Sequence, residues 1–279
     1  MITLFIIGGG TRLANLISAL DKDKYTIFLF LDHTKDNSKI LGENLYNSIT
    51  FVSSFIDEFD ILICCNTAKI IPQTIVSRAR IGSLNLHSGP LPEYRGGSPL
   101  QWQYLNNVKS YGVSIVEVSK SVDSGKVYAE GYFNSDGSEA FEEIQQKANS
   151  TFMMLINEAI VNLIRDKPLR TVSSDEGKIW IQRSEIDSRI VKQDAQVDIF
   201  LRHVDLLQEP YPALCFITES QKKLEVREAR RASFDIHANP LRLFYFRSNL
   251  YLRLFDGSVE LTRYHVSETI LKSGEYIVL

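Results

Sequence analysis

Cysteine is scarce in this chain of 279 residues, which contains three, at positions 64, 65 and 215. Three thiols cannot build a framework of disulfides, and Cys64 and Cys65 are adjacent within an apolar, strand-like run. This usage is typical of buried thiols in a reducing compartment, and it predicts a cytoplasmic location.

Long apolar runs are also lacking. None approaches the roughly 20 residues that a membrane-spanning helix needs. The amino-terminal MITLFIIGGG contains no basic residue, so it predicts a first strand rather than a signal peptide. No membrane partner is expected.

The chain has no strong excess of charge of one sign. It carries 31 Lys and Arg against 34 Asp and Glu, a formal net charge of -3. The basic residues are scattered, apart from a small cluster at Arg227, Arg230 and Arg231. A nucleic-acid-binding protein usually presents a basic face, so the sequence predicts small-molecule partners and no nucleic acid, unless the fold assembles such a face.

Apolar runs alternate with helix-like segments over the first part of the chain. Such alternation predicts an α/β domain over residues 1–170, with a Rossmann-like, mostly parallel sheet. The predicted parallel strands cover residues 2–7, 25–31, 60–65 and 83–87, and two further strands cover residues 111–118 and 126–133. The longest helical pattern covers residues 138–165.

The composition of the sequence changes near residue 170. Residues 171–195 are polar and charged and are expected to form a linker. Residues 196–279 contain a short helical pattern, several strand-like runs and Asp256-Gly257, a strong hairpin signal. We expect a small, barrel-like β domain there.

A glycine-rich turn, GGGTRLA, follows the first predicted strand. Such a turn can hold a phosphate at a helix N-terminus, and Asp32 ends the next strand, near the position of a ribose-binding acid. This keeps an NAD-type oxidoreductase open as an alternative. The dinucleotide motif is incomplete, because Leu13 stands at its third glycine position, and a plain strand-to-helix turn explains the same residues.

The stretch SLNLHSGPLPEYRGGSPLQW (83–102) places Asn85 and His87 where a predicted strand ends. Side chains alternate along a strand, so both point to one face, and ligands of parallel sheets bind at this edge. An amide can donate to a developing oxyanion, and a histidine can act as acid or base. Alternatively, His87 caps the strand and Asn85 bonds the backbone.

Asp123 lies in the turn VDSG between two predicted strands. A carboxylate there can return to the same cleft, hydrogen-bond His87 and fix its tautomer. Asn85, His87 and Asp123 would then form an acyl-transfer site with a donor, an acid/base and an orienting group. The set contains no Ser or Cys, so it predicts direct attack by the acceptor rather than a covalent intermediate.

The motif NLHSGPLPEYRG followed by VDSG resembles the folate-dependent formyltransferases, and the 38-residue separation of Asn85 and Asp123 suits that family. The segments EPYPALCF, KKLEVREA and DGSVELTRY resemble the small C-terminal domain of methionyl-tRNA formyltransferase and of many sugar N-formyltransferases. The resemblance therefore touches both predicted domains.

The resemblance implies N10-formyltetrahydrofolate as co-substrate, an amine as acceptor and no metal. It implies Asn85, His87 and Asp123 as catalytic residues, with Asn85 and protonated His87 stabilising the tetrahedral oxyanion. It further implies folate contacts, mostly through the backbone, at Lys69, Ile70, Ile71, Leu91, Ser119 and Val122.

A nucleotide-linked amino sugar is the acceptor that the resemblance favours, since the chain is acidic and its C-terminal domain is short. Substrate contacts are then expected at Gly9, Arg12, Pro90 and Arg95, although Arg95 is equally explained by a structural bond that holds the proline loop. Methionyl-tRNA formylation and a relative without catalytic activity remain alternatives. The family also suggests a homodimer.

Two features depart from the family pattern. After His87 the chain reads Ser88-Gly89-Pro90-Leu91-Pro92, which adds a proline to the loop edge. Residues 32–50 are polar and irregular, and no element is predicted for them.

Overall fold

The computed structural model describes residues 1–21, 23–41, 49–67, 70–209, 211–234, 236–267 and 273–278. The chain divides into two compact units. The first comprises residues 1–103 and 107–181, and the second comprises residues 104–106 and 182–279.

The elements follow one another along the chain in this order: β1 Ile2–Gly8, α1 Gly10–Ala19, β2 Tyr25–Leu31, α2 Ser38–Leu41, β3 Ile49–Phe51, β4 Phe59–Cys65, α3 Gln73–Val76, β5 Ala79–His87, β6 Arg95–Gly96, α4 Pro99–Leu105, β7 Ser110–Val116, β8 Gly125–Asn134, α5 Phe141–Ile164, β9 Arg170–Val172, β10 Ile179–Trp180, α6 Val197–Leu206, β11 Leu214–Thr218, β12 Lys223–Arg231, β13 Leu243–Phe246, β14 Asn249–Arg253, β15 Ser258–Val266 and β16 Ile277–Val278. Two 3₁₀ turns, Glu185–Ser188 and Lys192–Asp194, precede α6.

The first unit is built on a sheet whose strands, in the described residues, run in the order β3-β2-β1-β4-β5-β7-β8-β9. The strands from β3 to β5 are parallel, and β7, β8 and β9 continue the sheet in antiparallel pairs. β1 and β4 are almost continuously buried, as expected of central parallel strands covered on both faces. The predicted α/β fold class is confirmed.

The strand order reverses between β1 and β4, because β2 and β3 follow on one side and β5 on the other. The carboxyl ends of these strands form one edge of the sheet, where ligands of α/β proteins bind. Gly8 pairs with Cys65, and Cys64 pairs with Asn85. The glycine turn after β1 and the end of β5 therefore share this edge.

Helix α5 covers one face of this sheet against β7 and β8. Its buried positions, among them Ile144, Ala148, Phe152 and Ile156, recur at helical spacing. The helix begins at Phe141, where the Glu143 carboxylate accepts the Ala140 N–H at 2.8 Å. This bond from the backbone to a side chain satisfies a backbone donor at the start of the helix.

The second unit is a curled antiparallel sheet in the order β13-β14-β15-β12-β11-β16, with α6 packed against it. The segment around β16 connects the two ends of this strand order. β16 pairs with β11, and Ile277 N–H donates at 2.9 Å to Leu241 O, which lies just before β13. Leu243 N–H donates to Glu275 O at 2.7 Å in the same seam. These bonds curl the sheet towards closure, as the predicted barrel-like domain requires.

Part of the segment expected to be a linker is ordered in strands of the first unit. β9 pairs with β8 at the edge of the main sheet, and β10 pairs with β6. The first unit extends to Ile181. We call residues 172–181 the strap. The polar sequence of this segment shows no strand pattern, because the pairing of β9 and β10 depends on partners that are distant in the chain.

Candidate active site

Asn85 and His87 lie at the carboxyl end of β5, which is flanked by the parallel strand β4 and the antiparallel strand β7. The structure places them at the carboxyl edge described above, on one face of the sheet. His87 is 5 % exposed, and Asn85 is half-buried.

Asp123 lies in the loop between β7 and β8 and reaches the same place. Its Oδ1 lies 3.3 Å from Asn85 Nδ2 and 3.3 Å from His87 Nδ1. Its Oδ2 accepts the Gly96 N–H at 2.8 Å. The structure thus brings together all three residues that the sequence singled out.

Both ring nitrogens of His87 have partners. Nε2 lies 2.6 Å from the Tyr94 carbonyl oxygen, which can only accept, so Nε2 carries a proton. Nδ1 faces the Asp123 carboxylate. The resemblance implies a protonated His87 that faces the reacting oxygen. In the structure its Nε2 proton is directed to Tyr94 O, and the half-buried Asn85 is the more accessible donor.

The loop before Asp123 is held by its own hydroxyl groups. Ser119 Oγ lies 2.7 Å from Ser121 O and 3.0 Å from Ser124 Oγ. Val122 exposes 53 % of its surface at the outer side of this loop. Of the two folate contacts expected here, the Ser119 side chain is therefore engaged within the loop, whereas the Val122 side chain is open to solvent.

The proline loop is fixed by packing as well as by its prolines. Leu91 is 2 % exposed and packs with Val116, Val127 and Val172. Only its main chain can therefore meet a ligand. Pro90 fills the space beside Gly112, where a Cβ atom would lie 2.6 Å from Pro90 Cβ.

Arg95 does not face an open phosphate site. It is 1 % exposed, and its guanidinium donates to main-chain carbonyls of the Asp123 loop and of the strap. These contacts are those of the structural alternative that the sequence left open.

Gly9 and Arg12 are also enclosed. A Cβ atom on Gly9 would lie 2.8 Å from Lys35 Cβ and 2.9 Å from Asn37 Oδ1, and this same amide oxygen accepts the N–H of the neighbouring glycine. Arg12 is 9 % exposed; its Nε donates to Asn149 Oδ1 at 2.8 Å and its guanidinium lies over the Phe152 ring. Arg12 Nε is thus engaged by α5, and the phosphate contact of Arg12 stays a prediction.

The carboxylate of Asp32, the residue after β2, also has hydrogen-bond partners on both oxygens. Asp32 is 1 % exposed, its Oδ1 accepts the Thr34 hydroxyl at 2.7 Å, and its Oδ2 accepts the Thr67 hydroxyl at 3.0 Å. These bonds turn the carboxylate away from a ribose, which removes the support for a dinucleotide site.

The remaining expected folate contacts follow β4. Lys69 lies outside the described residues. Ile70 is 92 % exposed and Ile71 is half-buried. Ile70 therefore presents an apolar side chain to solvent near the edge where β4 ends.

Trp180 in the strap is a residue that the sequence analysis missed. Its ring stacks on Tyr94 at 5.1 Å between centroids, and its Nε1 donates to Glu93 O at 2.9 Å. It therefore holds the loop whose Tyr94 carbonyl binds His87. The short apolar stretch Ile179-Trp180-Ile181, within a polar segment, was the signal available for it.

The nearby thiols are poor nucleophiles. Burial raises the pKa of Cys64 and of Cys65 to about 12, so both stay protonated at neutral pH. Among the described residues, no group of His, Cys, Asp and Glu is arranged to hold a metal ion. None of the helices in the described ranges combines the length and the apolar character that a bilayer crossing requires.

The family model for formyl transferases matches residues 52–160. The chain is 29% identical over 171 residues to the methionyl-tRNA formyltransferase of Malacoplasma penetrans, a match that covers 58% of this chain and 51% of that protein. The chain thus spans about half the length of the curated relatives it matches.

Solved structures share the fold. HypX from Aquifex aeolicus in complex with tetrahydrofolic acid superposes with a TM-score of 0.66 at 19% identity, covering 96% of this chain and 44% of that one. An N-formyltransferase from Helicobacter canadensis, in complex with folinic acid and dTDP-3-aminofucose, superposes with a TM-score of 0.65 at 14% identity and covers 94% of this chain and 99% of that one.

Proposed function

Because the formyl transferase family model matches residues 52–160, we propose that this chain moves a formyl group from N10-formyltetrahydrofolate to a primary amine. The observation that carries the proposal is the cluster at the end of β5, where Asp123 Oδ1 lies 3.3 Å from both Asn85 Nδ2 and His87 Nδ1. A donor amide, a histidine and a carboxylate at one accessible edge are the groups that acyl transfer to an amine needs.

The reaction begins when the neutral amine attacks the formyl carbon. The new C–N bond forms as the carbonyl electron pair moves to oxygen. One N–H of Asn85 is directed to Asp123, and its second N–H can donate to this oxyanion. Asn85 is suited to this role because its side chain is only half-buried.

The proton of the attacking amine must then leave. Asp123 Oδ1 takes this proton as the nearby base, and His87 Nδ1, which lies 3.3 Å away, can accept a hydrogen bond from the resulting carboxyl group. Collapse of the tetrahedral adduct restores the carbonyl, breaks the bond to N10 and returns the proton to that nitrogen. Tetrahydrofolate and an N-formyl amine are the products, and no covalent enzyme intermediate is formed.

The donor is expected to lie between two exposed apolar side chains at this edge. Ile70 follows β4, and Val122 immediately precedes Asp123. A pterin ring is flat and largely apolar on its faces, so such side chains suit it. The HypX and Helicobacter canadensis structures hold folate compounds.

A nucleotide-linked amino sugar is the acceptor we propose. The chain carries a net charge of -3, which suits a small substrate better than an RNA backbone. The Helicobacter canadensis N-formyltransferase, which the chain matches over 99% of its length, holds dTDP-3-aminofucose.

Methionyl-tRNA is the second candidate acceptor. The observation that favours it is the sequence match to methionyl-tRNA formyltransferases, which is 29% over 171 residues for Malacoplasma penetrans.

The test is a formyl-transfer assay with N10-formyltetrahydrofolate, read by mass spectrometry. One arm supplies a panel of dTDP-, UDP- and GDP-linked 3-amino and 4-amino sugars, and the other supplies methionyl-tRNA. A gain of one formyl group on a sugar supports the proposal, and a gain on methionyl-tRNA alone replaces the acceptor. Absence of tetrahydrofolate release in both arms would contradict the formyl transfer itself.

A further inference from the structure

Arg95 is a charged residue that is almost fully buried, at 1 % exposure. Within the described part of the chain, its hydrogen bonds go to main-chain carbonyls and one hydroxyl group, and none goes to a carboxylate. A buried cation needs such partners, because desolvation disfavours its charge. The residue therefore has a structural task that justifies burying a charge beside the candidate active site.

The guanidinium bridges two backbone segments. Nε and Nη2 both donate to Val122 O, at 3.0 and 2.7 Å. Nη1 donates to Ser174 O at 2.9 Å and to Glu176 O at 2.7 Å. One planar group thus joins the Asp123 loop to the turn of the strap, which an ammonium with a single nitrogen cannot reproduce.

Val122 immediately precedes Asp123, whose φ is 46°. This left-handed conformation is uncommon for a residue other than glycine and must be held by its surroundings. The residue after Arg95 supplies a second hold, because Gly96 N–H donates to Asp123 Oδ2 at 2.8 Å. The carboxylate is thus restrained through its backbone and through one oxygen, which leaves Oδ1 for Asn85 and His87.

We propose that Arg95 is a positioning residue that aims Asp123 Oδ1 at Asn85 and His87 by clamping the Val122 carbonyl to the strap. Arg95 acts through Asp123 and touches no reacting atom. The inference rests on the proposed function where its readout is activity, and it has a second readout that does not need activity.

The test compares Arg95→Lys with Arg227→Lys in the full chain. Arg227 is a matched control, since its Nη1 donates to two main-chain carbonyls, Leu207 O and Tyr211 O, at 2.8 and 2.7 Å. Arg95→Lys is expected to lower kcat by about 100-fold through misplacement of Asp123. The KM values are expected to stay near wild type, because the lost alignment matters in the transition state. Arg227→Lys is expected to lower Tm without changing kcat.

The second readout is the NMR spectrum of the His87 ring. Arg95→Lys is expected to move the ring resonances, because the Asp123 contact changes, whereas Arg227→Lys leaves them unchanged. If wild-type protein transfers no formyl group, the proposed function fails, and these resonances alone decide the role of Arg95.

Glu176→Ala provides a milder variant should Arg95→Lys not fold. The exposed Glu176 carboxylate accepts the Ser173 N–H at 3.0 Å and orders the turn that Arg95 binds. The Glu176→Ala variant is expected to lower kcat several-fold while its Tm stays nearly unchanged. A wild-type kcat and unmoved His87 ring resonances in the folded variants would overturn the inference, as would a parallel loss of kcat in Arg227→Lys.

Discussion

At the scale of single residues, the two carboxylate oxygens of Asp123 contact three polar groups. Oδ1 faces the Asn85 amide and the His87 ring, and Oδ2 accepts the Gly96 N–H. Asn in its place tolerates the same φ of 46°, but its NH₂ group must face a donor on one side. Asp123→Asn is therefore expected to lower kcat by about 100-fold or more while the fold persists, since a positioned acid or base contributes on that order.

The measurement is kcat at saturating substrates, together with Tm. Asp166→Asn is the control: Asp166 has a φ of 47° and its carboxylate pairs with Lys126 at 2.6 Å on the surface. It should retain wild-type kcat. A kcat for Asp123→Asn close to that of the control would rule out the assigned role.

Glu139 shows how a residue outside the site contributes to stability. Its bonds with Lys147 and Ser135 lower its pKa to about 2. A carboxyl group with a depressed folded pKa stabilises the protein above its ordinary pKa, and this contribution is lost as the pH falls towards 2. Glu139→Gln is expected to lower Tm at pH 7, and its difference from wild type should shrink as the pH falls below about 4.5.

Thermal unfolding at several pH values between 7 and 3 checks this dependence. Glu158→Gln, an exposed position on α5, is the control and should follow wild type. A Tm difference for Glu139→Gln that stays constant across the range would contradict the assignment.

At the scale of elements, the strap depends on one glycine. Gly177 has a φ of 75°, and a Cβ atom there would lie 1.9 Å from Pro92 O. Gly177→Ala must therefore lift the strap from the proline loop. Because Arg95 and Trp180 connect the strap to the Asp123 loop and to Tyr94, we expect kcat to fall at least tenfold along with Tm.

Gly137→Ala is the control for backbone strain without the clash against Pro92. Gly137 also has a positive φ, 94°, but lies in a different turn. Urea unfolding and kcat are measured for both variants. The control should lose about 1 kcal/mol of unfolding free energy and keep its activity. If Gly177→Ala loses no more unfolding free energy and no more kcat than Gly137→Ala, contact between the strap and the proline loop is not needed for activity.

The elements that the sequence predicted well are those with an internal pattern. The buried runs at 25–31 and 60–65 and the helical spacing before Asp166 repeat over several residues, so each segment carries its own signal. β6 and β10 have two residues each, and their pairing depends on Arg95 and Trp180. Such pairs follow from long-range contacts, which no local pattern displays.

The candidate site divides in the same way. Asn85, His87 and Asp123 were predictable because strand ends and spacing place them, and the structure brings them together. Gly9 and Arg12 fit a ligand in sequence, but the Gly9 N–H already donates to Cys65 O and Arg12 Nε donates to Asn149 Oδ1. Sequence spacing shows what a side chain can bind, while packing decides what it does bind.

At the scale of the whole molecule, net charge separates the two candidate acceptors. A chain with a net charge of -3 gains little from releasing counterions when it binds a nucleotide-linked sugar with few charges. Binding of tRNA through several phosphates would instead weaken by about 10³–10⁵-fold between 50 and 200 mM salt. We therefore expect kcat/KM for the sugar acceptor to change by less than about tenfold over this range.

The measurement varies the acceptor at saturating N10-formyltetrahydrofolate, at both salt concentrations. The KM of the donor, determined in parallel, corrects for any salt effect on folate binding. A fall of about 1000-fold in kcat/KM for the acceptor would indicate that phosphates along a nucleic acid supply the binding energy. Since charge screening acts on every exposed cation at once, this outcome would identify a basic face assembled by the fold and would move methionyl-tRNA ahead of the sugar.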